Sequence, residues 1–194
     1  TGVYGEDFSI IFSALFGGLV SYKKAGVELI KKSPRPNFWR PLTENDTANH
    51  LPFRAGQWKN ASTYLSNNDG KQVSNYQVEE TDNTVKVTYT CYLPTTPEKE
   101  VKLSYQVYPD GAVKTNIYLD RSDDIGELPS FGVLFTMKSE FENLRWYGNG
   151  PADTYTDREF GGRIDVWDNK VIENMAEYLR PQESGNHTKV RWAE

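Results

Sequence analysis

Three stretches of this 194-residue chain, 35–49, 147–163 and 180–192, carry polar and aromatic side chains at a density that building strands does not require. Their carboxylates include Glu44, Asp46, Asp153, Asp157 and Glu183. Retaining glycoside hydrolysis needs two carboxyl groups about 5 Å apart across the sugar bond. The spacing singles out no such pair, and each residue has a structural use. Asn45 and Asp46 can bond backbone in an Asx-type turn. Asp157 can pair with Arg158 or Arg163, and Glu183 with Arg180 or Arg191. The two histidines are His50 and His187. His187 follows Glu183 by four residues, and a Glu–His pair is what opening an aldose ring requires. A solvated loop histidine accounts for it better. No Cys/His spacing suggests a metal site, and oxygen-rich loops alone do not make one.

Rings offer a different chemistry. Sugars stack their CH faces on aromatic side chains and take hydrogen bonds from Asn, Asp, Glu and Arg. Trp39, Trp58, Trp146, Tyr147, Tyr155, Trp167 and Trp192 are candidates, against a plainer reading of Trp39 and Trp146 as core or interdomain residues. The net charge is -5 and no basic run occurs, so neither nucleic acid nor an anionic membrane is an expected partner. The single cysteine, Cys91, allows no intrachain disulfide and fits a reducing cytoplasm. The most apolar stretch, 10–20, is too short to span a bilayer.

Period-two alternation dominates the elements that must position these residues. Strands are expected over 85–93, 101–108 and 113–119. The last two join through Pro109-Asp110-Gly111, where proline fixes φ and glycine supplies positive φ. Further strands are expected over 8–12, 19–22, 27–30, 72–79, 131–137 and 144–147, with turns at Gly17-Gly18 and Ala25-Gly26. Residues 191–194 read as the start of another strand. A short helix is expected near 56–65, where Trp58, Ala61 and Leu65 share a face. Many strands with at most one or two short helices predict an all-β antiparallel sandwich. The chain reads as a single β-sandwich domain over 1–194. The start at Thr1 and the strand-like end suggest a fragment excised from a larger protein and cut short at its C-terminus.

Four ordered phrases resemble the C-terminal small-chain region of lac-type bacterial β-galactosidases, in glycoside hydrolase family 2. The first runs Phe8-Ser9, Gly18-Leu19, Gly26-Val27-Glu28-Leu29, then Arg35-Pro36-Asn37-Phe38-Trp39-Arg40. The second is Pro41-Leu42-Thr43-Glu44-Asn45-Asp46-Thr47-Ala48. The third is Tyr147-Gly148-Asn149-Gly150-Pro151 followed by Tyr155-x-Asp157-Arg158. The fourth is Arg180-Pro181-Gln182-Glu183-Ser184-Gly185-Asn186, then Val190-Arg191-Trp192. Glu44, Ala48, Asp153 and His187 depart from the family pattern, which has Asp, Gly, Glu and commonly Arg there.

The resemblance implies a galactose-mutarotase-like antiparallel supersandwich that packs on a catalytic (β/α)8 barrel and on other domains of the parent. It implies an oligomeric, cytoplasmic parent hydrolysing terminal β-D-galactosides such as lactose. The parent's two catalytic Glu residues, Mg²⁺ and a monovalent cation would lie on or around the barrel, so this chain is expected to hold no catalytic residue, metal or cofactor. It implies that Thr43, Asn45 and Asp46, with Arg40, lie near the rim of the active site. Trp39, Asp157, Arg158, Glu183, His187 and Arg191 are candidates for facing carbohydrate or a neighbouring domain. The alternatives are a stand-alone carbohydrate-binding module and an aldose 1-epimerase-like enzyme.

Overall fold

The computed structural model describes residues 1–67, 73–121 and 125–194. The chain divides into two compact units. The first comprises Thr1–Arg40 and His50–Lys138, and the second Pro41–Asn49 and Ser139–Glu194.

In the first unit, β1 (Gly2–Tyr4), β2 (Phe8–Ser13), β3 (Gly18–Lys24) and β4 (Val27–Glu28) form one antiparallel meander. Its β3–β4 turn places Ala25 at φ 49° and Gly26 at φ 80°. Two successive positive φ values make the tight connection that follows the strands' own twist. A second antiparallel meander contains β6 (Val73–Glu80), β7 (Val85–Leu93), β8 (Lys99–Val107) and β9 (Val113–Leu119). The Pro109-Asp110-Gly111 turn closes as expected. Gly111 has φ 83°, and the Asp110 side chain accepts from the Ala112 N–H at 2.9 Å. Gln72, expected to open the strand over 72–79, lies outside the described residues.

The two meanders face each other as a sandwich. Ile10, Phe12 and Leu19 from one and Val87, Tyr89, Leu103 and Tyr105 from the other are buried. Phe12 meets Tyr105 at 5.5 Å between ring centres. Tyr89 is fully buried, and its hydroxyl lies 3.1 Å from the Gly18 carbonyl and 3.2 Å from that of Ser13. It therefore pins the β2–β3 turn to the opposite sheet, and burial pushes its pKa up. Cys91 is a core residue, its thiol raised to about 11 by burial.

Two expectations need correction here. The helix is not short: α2 runs from Leu51 to Asn67, 17 residues. Pro52 sits in its first turn, where no intrahelical N–H is required, and so extends the start rather than blocking it. Leu51, Ala55, Trp58, Ser62 and Leu65 form its buried stripe, with Ala61 beside it, and Trp58 packs on Phe38 at 5.4 Å. The loop expected over 35–49 begins as a strand. β5 (Ile30–Asn37) pairs with β10 (Gly132–Met137) in a two-stranded sheet, despite Pro34 and Pro36. The register slips between the Lys32 and Arg35 pairings, so Pro34 falls in a bulge where no ladder donor is needed.

The second unit holds α1 (Glu44–Ala48) and a sheet ordered β12 (Arg163–Lys170), β11 (Asn143–Gly150), β13 (Trp192–Ala193). β12 was not anticipated, because its one alternating pair, Ile164 and Val166, is set among charged residues and both are exposed. β13 begins where residues 191–194 read as strand. Among the described residues no helix is long and apolar enough to cross a membrane.

Tyr89→Phe is expected to destabilise the protein by about 1–3 kcal/mol, because the buried Gly18 carbonyl, with the neighbouring Ser13 carbonyl, loses the one hydroxyl proton they share while the ring packing stays. A urea unfolding midpoint that does not move would refute the tie.

Candidate functional site

The clearest concavity in the second unit is a cleft of about 740 Å³, walled by Pro41–Glu44, Thr47, Ala48 and Arg180–Gln182. One wall is α1 and its approach. Thr43 is the N-cap: its hydroxyl accepts the Asp46 N–H at 3.1 Å, and the Asp46 carboxylate accepts the Thr43 N–H at 2.8 Å. This reciprocal box satisfies two donors that a helix start leaves orphaned. The sequence suggested an Asx-type turn, and the actual motif is its helical counterpart. The side chains of Thr43 and Asp46 are thus spent on holding the turn, while Glu44 and Asn45 are exposed. Ala48, standing where the family has Gly, ends the helix. The positive φ of this segment falls instead on His50, at 56°.

The other wall is fastened to α1 by two hydrogen bonds. The Glu44 N–H donates to Gln182 Oε1 at 3.1 Å, and the Glu183 N–H donates to the Leu42 carbonyl at 3.2 Å. Gln182 was not singled out from the sequence, and Arg180 only as a possible partner of Glu183, although both stand in the fourth family phrase.

Behind this wall the 147–163 and 180–192 stretches are laced together. Asn149 and Thr154 are buried. Asn149 Nδ2 donates to Thr188 Oγ1 at 2.9 Å, and the Thr188 N–H donates to Thr154 Oγ1 at 2.8 Å. Asn186 Nδ2 donates to the Thr154 carbonyl at 2.7 Å, and the Asn149 N–H reaches the Thr188 carbonyl at 3.0 Å. The glycines of Tyr147-Gly148-Asn149-Gly150 permit this closeness. A Cβ on Gly148 would lie 2.8 Å from the Val190 backbone, and one on Gly150 would lie 2.7 Å from the Trp167 ring.

His187 is not the solvated loop residue expected. It is half-buried, stacked on Trp146 at 4.2 Å, with Nε2 2.9 Å from Asn174 Oδ1. Burial pulls its pKa below the ordinary 6.5, against the opposing influence of the Asn149 backbone and the Asp153 charge. Trp146 is buried and donates to the Asn149 carbonyl at 3.0 Å, so it is core, as its plainer reading held.

Arg158 also departs from expectation. It pairs with Asp153 at 3.0 Å rather than with Asp157, and lies over the Tyr155 ring at 4.9 Å. The Tyr178 hydroxyl bonds both Arg158 and Asp153. A carboxylate one methylene shorter than the family's Glu therefore closes the cluster. Tyr155 is pushed up to about 12, by burial first and then by the negative charges of Glu183 and Asp153; its hydroxyl lies near the Asn186 backbone without a well-formed hydrogen bond. Arg163 pairs with Asp165 at 3.8 Å and covers Trp167. Arg191 covers Tyr147, at 5.1 Å from its ring centre, and Asp157 is exposed. Trp39 and Arg40 belong to the first unit, where both are half-exposed and the Trp39 carbonyl accepts from Asn37 at 2.6 Å. Among the described residues no group of three or more His, Cys, Asp or Glu could hold a metal ion.

A family model described as β-galactosidase small chain matches residues 4–194. The chain belongs to that family. It is 37% identical over 193 residues to a β-galactosidase of Halalkalibacterium halodurans, and 37% identical over 190 residues to one of Streptococcus thermophilus. In each case the match covers 98% of this chain and 18% of the relative. A β-galactosidase small subunit of Latilactobacillus sakei is 30% identical over 205 residues, covering 98% of this chain and 64% of the relative. The chain therefore spans about a fifth of the length of the β-galactosidases it matches.

Two outcomes test this construction. Asp46→Ala, which breaks the capping box, is expected to lower amide-exchange protection in α1 about fivefold. Unchanged protection would show that the box does not hold the turn. The His187 pKa lies below its unfolded value, so its contribution to stability is complete above pH 6.5 and is lost as pH falls through 6.5 towards the folded value. His187→Gln should flatten the urea midpoint between about pH 7 and about pH 5. Identical pH profiles for the two proteins would dismiss that assignment.

Proposed function

We propose that this chain is the non-catalytic small-chain part of a β-galactosidase that hydrolyses terminal β-D-galactosides such as lactose. In this reading it packs on the catalytic barrel, and the turn over 43–49 completes the rim of the galactoside pocket. The observation that carries the reading is the family match over nearly the whole chain, joined to the small share of its relatives that the chain represents. The catalytic carboxylates, Mg²⁺ and monovalent cation belong to the remainder of an oligomeric, cytoplasmic parent.

Two features support the assignment. Phe131, Leu134, Phe135 and Met137 in the first unit are each about half exposed, and Ile172 and Met175 in the second are about two-thirds exposed. Large apolar side chains left in water at this density suit burial against another polypeptide. The capping box fixes the backbone of α1; the cleft wall keeps exposed polar side chains, Glu44 and Arg180 among them, and Asn45 is exposed on α1 next to Glu44. Such groups can orient a sugar hydroxyl without taking part in bond cleavage.

The expected kinetics follow. The chain alone should not turn over a chromogenic β-galactoside, and the parent enzyme should. In the parent, Asn45→Ala and Arg180→Ala should each raise KM for lactose about tenfold with kcat nearly unchanged, as loss of binding common to ground and transition states requires. Turnover by the chain alone, or a loss confined to kcat, would reject the reading.

A further inference from the structure

We infer that the outward face of the β6–β9 sheet carries a shallow saccharide-binding site between Tyr92 and Tyr118. The site is built from first-unit residues alone, and so is independent of the α1 cleft. A hollow of about 560 Å³ opens there, within the size range of small-ligand sites. Strand register builds it. Tyr92 on β7 stands opposite Glu100 on β8, and Lys102 on β8 stands opposite Tyr118 on β9. Directly opposed residues share a face, so all four point away from the sandwich core. Glu98 and Asp120 complete the lining from the strand ends.

The two rings differ in role. Tyr92 is half-buried and fixed: it meets Tyr64 of α2 edge-on at 6.0 Å, and its hydroxyl donates to Glu98 at 3.0 Å. Tyr118 is 59% exposed, a large apolar face kept in water on a strand that gives it little freedom. Glu100 is also held, accepting from Ser74 Oγ at 2.9 Å. An exposed ring flanked by positioned carboxylates and a lysine is the arrangement a sugar needs. Its CH face covers the ring, its hydroxyls donate to Glu98, Glu100 and Asp120, and Lys102 donates in return. Acidic and basic groups nearly balance in the hollow, with Lys99 beside Lys102, so a neutral polyhydroxylated ligand suits it better than an ion.

The test uses lactose as the probe, read by saturation-transfer NMR on the protein. Transfer to the sugar's ring CH protons is expected. Tyr118→Ala should weaken lactose binding about tenfold, while Tyr118→Phe keeps it within about twofold. Tyr4→Ala, which removes a ring 71% exposed elsewhere in the same unit, should leave it unchanged. Glu100→Gln with Asp120→Asn should weaken binding without altering the fold, checked by circular dichroism. No transfer in the unsubstituted protein, or equal lactose affinity with and without the Tyr118 ring, would overturn the proposal. So would a loss that Arg180→Ala reproduces in full, since the sugar would then sit in the α1 cleft.

Discussion

Irregular backbone can be buried only if its polar groups find partners, because each unpaired N–H or carbonyl costs about as much as a hydrogen bond is worth. The second unit answers this with Asn149, Thr154 and Thr188. Their side chains and amides satisfy one another at 2.8 to 3.0 Å and draw in Asn186. The same stretch then reaches α1 through Gln182 and Glu183. Remove this lacing and neither wall of the cleft has a fixed position. The small side chains are part of the constraint, since Gly148 and Gly150 let Val190 and Trp167 come within contact of the backbone.

The first unit is held by a different balance. Two antiparallel meanders bury an apolar interior, and the polar content of that interior is small and directed. Tyr89 spends its hydroxyl on the carbonyls of a turn in the facing sheet, and Ser62 accepts the Phe38 N–H at 2.8 Å. Hydrophobic burial supplies most of the stability there, whereas hydrogen-bond satisfaction supplies position in the second unit. That contrast has a functional sense. Under the proposed function, a rim that is to orient a sugar would need a backbone fixed to a fraction of an ångström, and directional bonds deliver that better than packing alone.

The candidate residues divide along the same line. Thr43, Asp46, Trp146 and His187 are consumed in building the unit, and Arg158 is locked into the Asp153–Tyr178 cluster. Side chains that remain exposed, Asn45 and Asp157 among them, are those with chemistry to offer a partner. Much of the polar density in the three sequence stretches is therefore architecture, with recognition left to a minority.

The sequence by itself determined the all-β antiparallel class, the hairpin at Gly111 and the family, because each rests on local periodicity, turn chemistry or ordered motifs. It did not reveal β12, whose Ile164 and Val166 alternate with charges and stay exposed, nor β5 beyond Ile30, where two prolines argue against a strand until a bulge absorbs one of them. It expected Asn45 and Asp46 in an Asx-type turn and did not name the Thr43–Asp46 capping box that stands there, although such a box acts over only three residues. It could not pair Arg158 with Asp153 instead of Asp157, or set His187 on Trp146. Those choices depend on which distant segments meet, and only the tertiary structure decides where a long side chain finds its partner.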